Sequence, residues 1–177
     1  NASADVLMNR LVDFDATSGT LQPSLAQSWE VSADGLSYSF TLRPDVQFHQ
    51  TDYFSPSHTL TADDVLFSFQ RMLDPTHPWH KVAASGYPHA QSMQLPSLIK
   101  SIDKTGEHSL RFTLNRPDAT FLATLSMGFA SIYSAEYASQ LLAAGTPQQL
   151  NSQPIGTGPF VFKRFQKDAS VRYSANP

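Results

Sequence analysis

The stretch that decides the fold of this chain is Ser28-Trp29-Glu30-Val31-Ser32-Ala33-Asp34-Gly35-Leu36-Ser37-Tyr38-Ser39-Phe40-Thr41-Leu42. Apolar and polar residues alternate on both sides of Asp34-Gly35, a dipeptide typical of hairpin turns. Side chains of a strand point alternately to its two faces, so Leu36, Tyr38, Phe40 and Leu42 share one face. The pattern therefore predicts an antiparallel hairpin with an apolar face.

Two more pairs of segments have the pattern of hairpins. Residues 98–103 pair with 109–114, and residues 160–165 pair with 170–173 around Lys167-Asp168. The strands thus come as hairpins and do not alternate singly with helices. This order predicts an α+β fold with a mixed, largely antiparallel sheet, not a doubly wound parallel sheet.

About three helices are predicted between the strands. They follow the polar N-cap candidates Thr61, Asp118 and Ser134, and the first has Asp64 at the spacing of a capping box. Residues 21–26 are expected to form a short helical turn. Residues 76–96 show no sustained period, and a long irregular segment inside a compact domain is often functional.

Composition excludes several classes of protein. The 177 residues are 41% hydrophobic, which is enough for a core, and only 15% are charged, with a net charge of −3. A nucleic-acid-binding protein would carry a clustered excess of Lys and Arg, so none is predicted as a partner. The chain has no cysteine, which excludes disulfide scaffolds, cysteine zinc sites and thiol nucleophiles.

Candidate catalytic and metal-binding groups each have a simpler structural explanation. His77 and His80 are three residues apart with His89 nearby, a set that could bind zinc, nickel or haem iron. Prolines 75 and 78 argue against a regular helix there, so solvated loop histidines are favoured and no metal site is predicted. Asp63-Asp64 suits a helix N-terminus better than acid–base catalysis.

No activated nucleophile is evident either, and we predict no catalytic residue. Gly156-Thr157-Gly158 resembles part of a phosphate loop but lacks its Lys and its glycine spacing, so a rigid turn is expected. Ser85-Gly86-Tyr87-Pro88 places a tyrosine between a flexible and a rigid residue. From the residues alone, Tyr87 could line a ligand cleft or merely cover the core.

Three motifs carry a family resemblance. Residues 25–46, the run Thr61-Ala62-Asp63-Asp64-Val65-Leu66-Phe67-Ser68-Phe69 and the run Pro154-Ile155-Gly156-Thr157-Gly158-Pro159-Phe160 resemble, in order and spacing, those of the extracellular solute-binding proteins of the peptide and nickel family, family 5. Pro78-Trp79-His80-Lys81-Val82 and Ala144-Gly145-Thr146-Pro147 are most similar to its dipeptide-binding members.

The resemblance implies a sub-domain of a type II (cluster C) periplasmic binding protein, whose two lobes close on a ligand. The implied function is the non-catalytic, monomeric substrate-binding component of an ABC transporter, located in the periplasm of a Gram-negative bacterium. It would take up dipeptides or short peptides and deliver them to the ABC permease membrane subunits, without a cofactor. The alternatives are a haem- or metal-binding receptor of the same transport class and, less favoured, a hydrolase.

The resemblance also implies where the ligand binds. Residues 1–158 correspond to a sub-domain of the first lobe and residues 159–177 to a hairpin that begins the return to the main sheet of that lobe. The second lobe, which grips the peptide termini in similar receptors, is expected to lie outside this chain. The implied ligand-binding residues are Tyr87, Gly86 and Ser85, with residues 127–131 as a second candidate wall.

Overall fold

The computed structural model describes residues 7–83, 86–158, 160–164 and 172–175, and its strands form three antiparallel sheets. The first is a two-stranded ribbon, the second has four strands in the order β3-β4-β6-β5, and the third is a two-stranded hairpin. The strands are β1 Val12–Asp15, β2 Thr20–Pro23, β3 Ala26–Val31, β4 Ser37–Leu42, β5 Ile99–Gly106, β6 Ser109–Leu114, β7 Phe160–Arg164 and β8 Arg172–Ala175.

Seven α-helices lie in the described ranges, and only two have more than five residues. They are α1 Ala62–Leu73, α2 Pro78–Val82, α3 Pro88–Ser92, α4 Leu95–Leu98, α5 Phe121–Leu125, α6 Ala135–Ala143 and α7 Gln149–Ser152. The three predicted helices correspond to α1, α5 and α6. The α+β class is confirmed.

The hairpin β3–β4 forms as predicted and has the predicted faces. Trp29 lies opposite Phe40 and Val31 opposite Tyr38. Tyr38, Phe40 and Leu42 are buried, whereas Ser39 and Thr41 between them are exposed. Gly35 in the turn has a φ of +72°, a conformation that favours glycine. The face that the alternation predicts to be apolar is therefore the face that lies in the core.

Helix α1 covers the apolar face of the four-stranded sheet. Its buried Phe69 meets Phe112 of β6 edge to face at 5.2 Å between ring centroids, and Phe112 meets Phe40 of β4 at 5.6 Å. The helix begins with the predicted capping box, in which the N–H of Thr61 donates to Oδ2 of Asp64 at 3.0 Å.

Three local predictions were wrong. Residues 20–23 form a strand, not a helical turn, because Thr20–Pro23 pairs with Val12–Asp15 and Leu21 faces Phe14. Residues 78–82 are helical because Pro78 occupies the first turn, where no backbone N–H is needed. The helix after Asp118 begins at Phe121, and the Asp118 carboxylate instead accepts from the N–H of Thr120 at 2.8 Å.

The last hairpin pairs Phe160–Arg164 with Arg172–Ala175, so its second strand ends two residues later than predicted. Its turn falls outside the described residues. Within the ranges given above, no helix has the length and apolar character needed to cross a bilayer.

Candidate ligand-binding site

Tyr87 lies directly before α3 and is half-buried. Its hydroxyl donates to the backbone carbonyl of Trp79 at 3.0 Å. Burial raises the pKa of Tyr87 although the nearby Arg71 guanidinium opposes this, so the phenol stays protonated and keeps its donor. Because the hydroxyl proton is used in this bond, the ring is the part of Tyr87 that remains available for further contacts.

Gly86 is exposed and has a φ of +67°. A Cβ atom built on it would meet nothing within 4 Å, so the backbone conformation, not lack of space, favours glycine here. Ser85 lies outside the described residues, and its role stays a prediction.

Residues 127–131, the second candidate wall, contact the segment that follows Tyr87. A 3-10 turn, Gly128–Ala130, presents Phe129, whose ring stacks on His89 at 5.8 Å between centroids and an interplanar angle of 18°. Met127 beside it is 39% exposed, a large value for an apolar side chain of this size. The structure thus places residues 127–131 against His89, two residues after Tyr87.

Sequence reasoning missed Arg71, which lies among three aromatic rings. Its guanidinium carbon is 4.5 Å from the ring centroid of Tyr133, 5.2 Å from that of Tyr87 and 6.0 Å from that of Phe67. Arg71 is only 9% exposed and its Nε has no hydrogen-bond partner. A cation in the last turn of a helix usually complements the helix dipole, so its sequence position gave no sign of this role.

The three histidines of residues 77–89 have separate structural roles. His77 caps α2, since its Nδ1 accepts from the N–H of Trp79 at 3.1 Å, and burial lowers the pKa of His77. His80 donates from Nδ1 to the carbonyl of Arg71 at 2.9 Å. In the part of the chain that is described, no three metal-ligating side chains converge.

The turn at residues 156–158 uses its amides within the protein. The N–H of Gly156 donates to Nδ1 of His49 at 3.2 Å, and the N–H of Gly158 donates to the carbonyl of Leu7 at 2.8 Å. The hydroxyl of Thr157 donates to Oδ1 of Asn9 at 3.0 Å. These bonds leave the turn suited to joining segments of the chain, in line with the predicted structural role.

The paired aspartates also have different surroundings. Asp64 is buried and accepts from the N–H of Thr61 at 3.0 Å and of Ala135 at 2.8 Å, which links the starts of α1 and α6. Burial raises the pKa of Asp64 against these two bonds. Asp63 is exposed and pairs with Lys104 at 3.0 Å. These partners of the two carboxylates do not include the aromatic residues around Tyr87.

Comparison with known proteins places this fold among the type II periplasmic binding proteins. A dipeptide-binding protein from Pseudoalteromonas sp. SM9913, solved in complex with Met-Leu, superposes with a TM-score of 0.93 at 38% identity, over 98% of this chain and 34% of that chain. HbpA2 from Haemophilus parasuis gives a TM-score of 0.94 at 51% identity, over 99% of this chain and 34% of that chain.

The model of the bacterial extracellular solute-binding proteins, family 5, middle region, matches residues 20–177, and the chain belongs to this family. It is 72% identical over its whole length to the probable di/tripeptide-binding protein 5 of Pseudomonas aeruginosa, covering 34% of that protein. It is 52% identical over 99% of its length to heme-binding protein A of Haemophilus influenzae, covering 32%. The chain thus spans about a third of the length of these curated relatives.

Proposed function

We propose that the full-length protein is the substrate-binding component of an ABC transporter that imports dipeptides or short peptides. One observation carries this: nearly the whole chain superposes on a third of a protein solved with the dipeptide Met-Leu. The 72% identical relative, a probable di/tripeptide-binding protein, supports the same ligand class. The protein would act without catalysis as a monomer in the periplasm, and would deliver peptide to the permease subunits in the membrane.

In this proposal the chain supplies one wall of the peptide cleft. Residues 1–158 belong to the first lobe, residues 159–177 lead back to its main sheet, and the second lobe closes over the ligand from elsewhere in the protein. Tyr87, Gly86 and Ser85 face the ligand, and residues 127–131 extend the wall. Tyr87 contacts an apolar or aromatic peptide side chain with its ring, since its hydroxyl is bonded to Trp79.

Calorimetric titration of the full-length protein with Ala-Phe, Ala-Ala-Phe and a hexapeptide tests the proposal. We expect saturable binding of the short peptides. The 177-residue chain, once circular dichroism shows that it is folded, should release no binding heat because half of the cleft is missing. Absence of binding to all three peptides by a folded full-length protein would refute the proposal.

A haem-binding receptor is the second candidate, favoured by the 52% identity to heme-binding protein A. Haem titration followed by visible absorbance tests it, with the variants His80→Ala and His89→Ala. A Soret shift that one of these variants abolishes would support the haem function. If short peptides compete for the site and neither variant changes haem binding, the peptide function stands.

A hydrolase is the least favoured candidate. Incubation of the full-length protein with the same peptides, followed by chromatography, should return them intact. Turnover above the buffer control would support the hydrolase function.

A further inference from the structure

Both candidate wall segments are attached to one face of helix α1. Ser68 and Arg71 are one turn apart on this helix, and both reach Tyr133, which follows residues 127–131. The N–H of Tyr133 donates to Oγ of Ser68 at 2.8 Å, and the Arg71 guanidinium lies over the Tyr133 ring at 4.5 Å. The Ser68 hydroxyl therefore holds the backbone of Tyr133, next to the second wall segment, and the Arg71 guanidinium holds its ring.

Arg71 also holds the first wall segment, through its side chain and its main chain. The guanidinium lies 5.2 Å from the ring centroid of Tyr87. The carbonyl of Arg71 accepts from the imidazole of His80, whose ring is 5.4 Å from that of Tyr87. Arg71 thus contacts Tyr87 in the first wall segment and Tyr133 next to the second. The stack of His89 on Phe129 joins the same two parts of the chain.

Packing alone does not explain a cation at this position. Burying a charge is costly unless it is paired, and the ion pairs among the described residues do not include Arg71. Its Nε is buried without an acceptor. The electron-rich faces of Tyr133, Tyr87 and Phe67 stand in for a counter-ion. A planar guanidinium can lie over two rings at once, which the compact ammonium of a lysine cannot do.

On the basis of the proposed function, we propose that Arg71 is a positioning residue for the peptide-binding wall. Its guanidinium fixes the orientation of the Tyr87 and Tyr133 rings, and through them the spacing between the Tyr87 segment and residues 127–131. Arg71 acts through these rings and does not itself contact the peptide.

The test measures Ala-Phe binding by the full-length protein with Arg71 altered. Arg71→Met keeps an unbranched, flexible side chain and removes the guanidinium with its charge, and Arg71→Lys keeps the charge and removes the planar group. We expect Met to weaken binding at least tenfold and Lys to restore part of the loss. The matched control is Lys81→Met, which removes an exposed cation from nearby α2 and should leave affinity unchanged.

A second measurement separates positioning from a purely structural role. With 13C-labelled tyrosine, the ring resonances of Tyr87 and Tyr133 should shift together in ligand-free Arg71→Met, while those of Tyr137 stay in place. Tyr133→Leu removes one ring from the guanidinium and should weaken binding as well. If Arg71→Met does not fold, Arg71→Lys and Tyr133→Leu decide the question.

The outcomes distinguish this inference from the proposed function. If the unaltered protein binds no short peptide, the proposed function fails first. If it binds Ala-Phe, and folded Arg71→Met binds equally well with unshifted Tyr87 and Tyr133 resonances, Arg71 is not a positioning residue. If every variant folds and only Tyr87→Ala weakens binding, Tyr87 belongs to the peptide-binding wall but Arg71 does not position it.

Discussion

His49 and Gly156 are joined by two hydrogen bonds that run in opposite directions. The backbone N–H of His49 donates to the carbonyl of Gly156 at 2.9 Å, and the N–H of Gly156 donates to Nδ1 of His49 at 3.2 Å. Nε2 therefore carries the ring proton and donates to the carbonyl of Gly158 at 2.9 Å. A fully buried imidazole thus holds the turn that precedes β7.

Replacing His49 by leucine should strongly destabilise the full-length protein. The N–H of Gly156 and the carbonyl of Gly158 would lose their ring partners while still buried, at a cost of about 3 kcal/mol in the free energy of unfolding. Urea denaturation followed by circular dichroism measures this. The control His58→Leu changes a half-exposed histidine and should cost less than about 1 kcal/mol. Equal losses for the two variants would contradict the prediction.

His49 should also make stability depend on pH. Burial lowers the pKa of His49 below its usual value of 6.5, whereas the unfolded chain protonates near that value. Below pH 6.5 the unfolded state thus binds more protons, so the free energy of unfolding falls as the pH falls and recovers as it rises. The wild type should therefore exceed His49→Leu in free energy of unfolding by an amount that grows as the pH rises from about 5 to about 7. A constant gap would show that His49 does not contribute.

Gly156→Ala should prevent normal packing of the same turn. A Cβ atom there would overlap the carbonyl oxygen of Leu7 and come within 2.5 Å of Sδ of Met8. Because backbone cannot move aside as a flexible side chain can, we expect a loss of about 3 kcal/mol or more in the free energy of unfolding. Gly128→Ala is the control, since its Cβ would meet nothing within 4 Å. Similar melting temperatures for both variants would exclude this close approach.

The neighbouring aspartates should respond very differently to alanine substitution. Asp64→Ala leaves the N–H groups of Thr61 and Ala135 without their acceptor, and should cost about 3 kcal/mol. Asp63→Ala removes an exposed pair with Lys104, which is worth roughly 0–1 kcal/mol. Thermal unfolding of both variants in parallel measures the difference. An Asp63 effect as large as that of Asp64 would contradict the buried link between α1 and α6.

Gly86→Ala tests the candidate site with little change in bulk. The left-handed backbone at Gly86 costs an alanine about 1 kcal/mol, and the added methyl group meets no neighbour. If the segment relaxes to another conformation, Tyr87 moves and the affinity for Ala-Phe should fall roughly fivefold, which corresponds to about 1 kcal/mol. Calorimetry measures this, with Gly19→Ala as the control, because Gly19 also has a left-handed backbone and open space for a methyl group but lies outside both wall segments. Unchanged affinity in Gly86→Ala would argue against a role for this segment.

The sequence was informative where local pattern and tertiary environment agree. Alternation in residues 28–42 and the capping box at Thr61 each predict a structure that the surrounding chain does not override. The strand at residues 20–23 was missed because its pairing partner, residues 12–15, determines it, and the local residues do not. Pro78 was misjudged because the same residue breaks a helix interior and begins a helix.

The candidate site shows the same division. Gly86 and Tyr87 stand out in a segment without periodicity, so the resemblance could be applied to them. Arg71 looks like an ordinary helix residue, since nothing in α1 reveals that rings from positions 87 and 133 will lie over its guanidinium. A contact between residues far apart in the sequence has no local signal, and only the folded chain shows it.

The strand order β3-β4-β6-β5 has a consequence for how the polypeptide acquires its structure during translation. Strand β4 is central, yet the neighbour that completes it, β6, is separated from it by residues 43–108. Until the ribosome has released that whole stretch, the hairpin β3–β4 presents a bare backbone edge and the rings of Tyr38 and Phe40 to solvent. A nascent chain paused within this interval is the species that a holdase chaperone would recognise, and synonymous codons that slow elongation there should lower the yield of native protein.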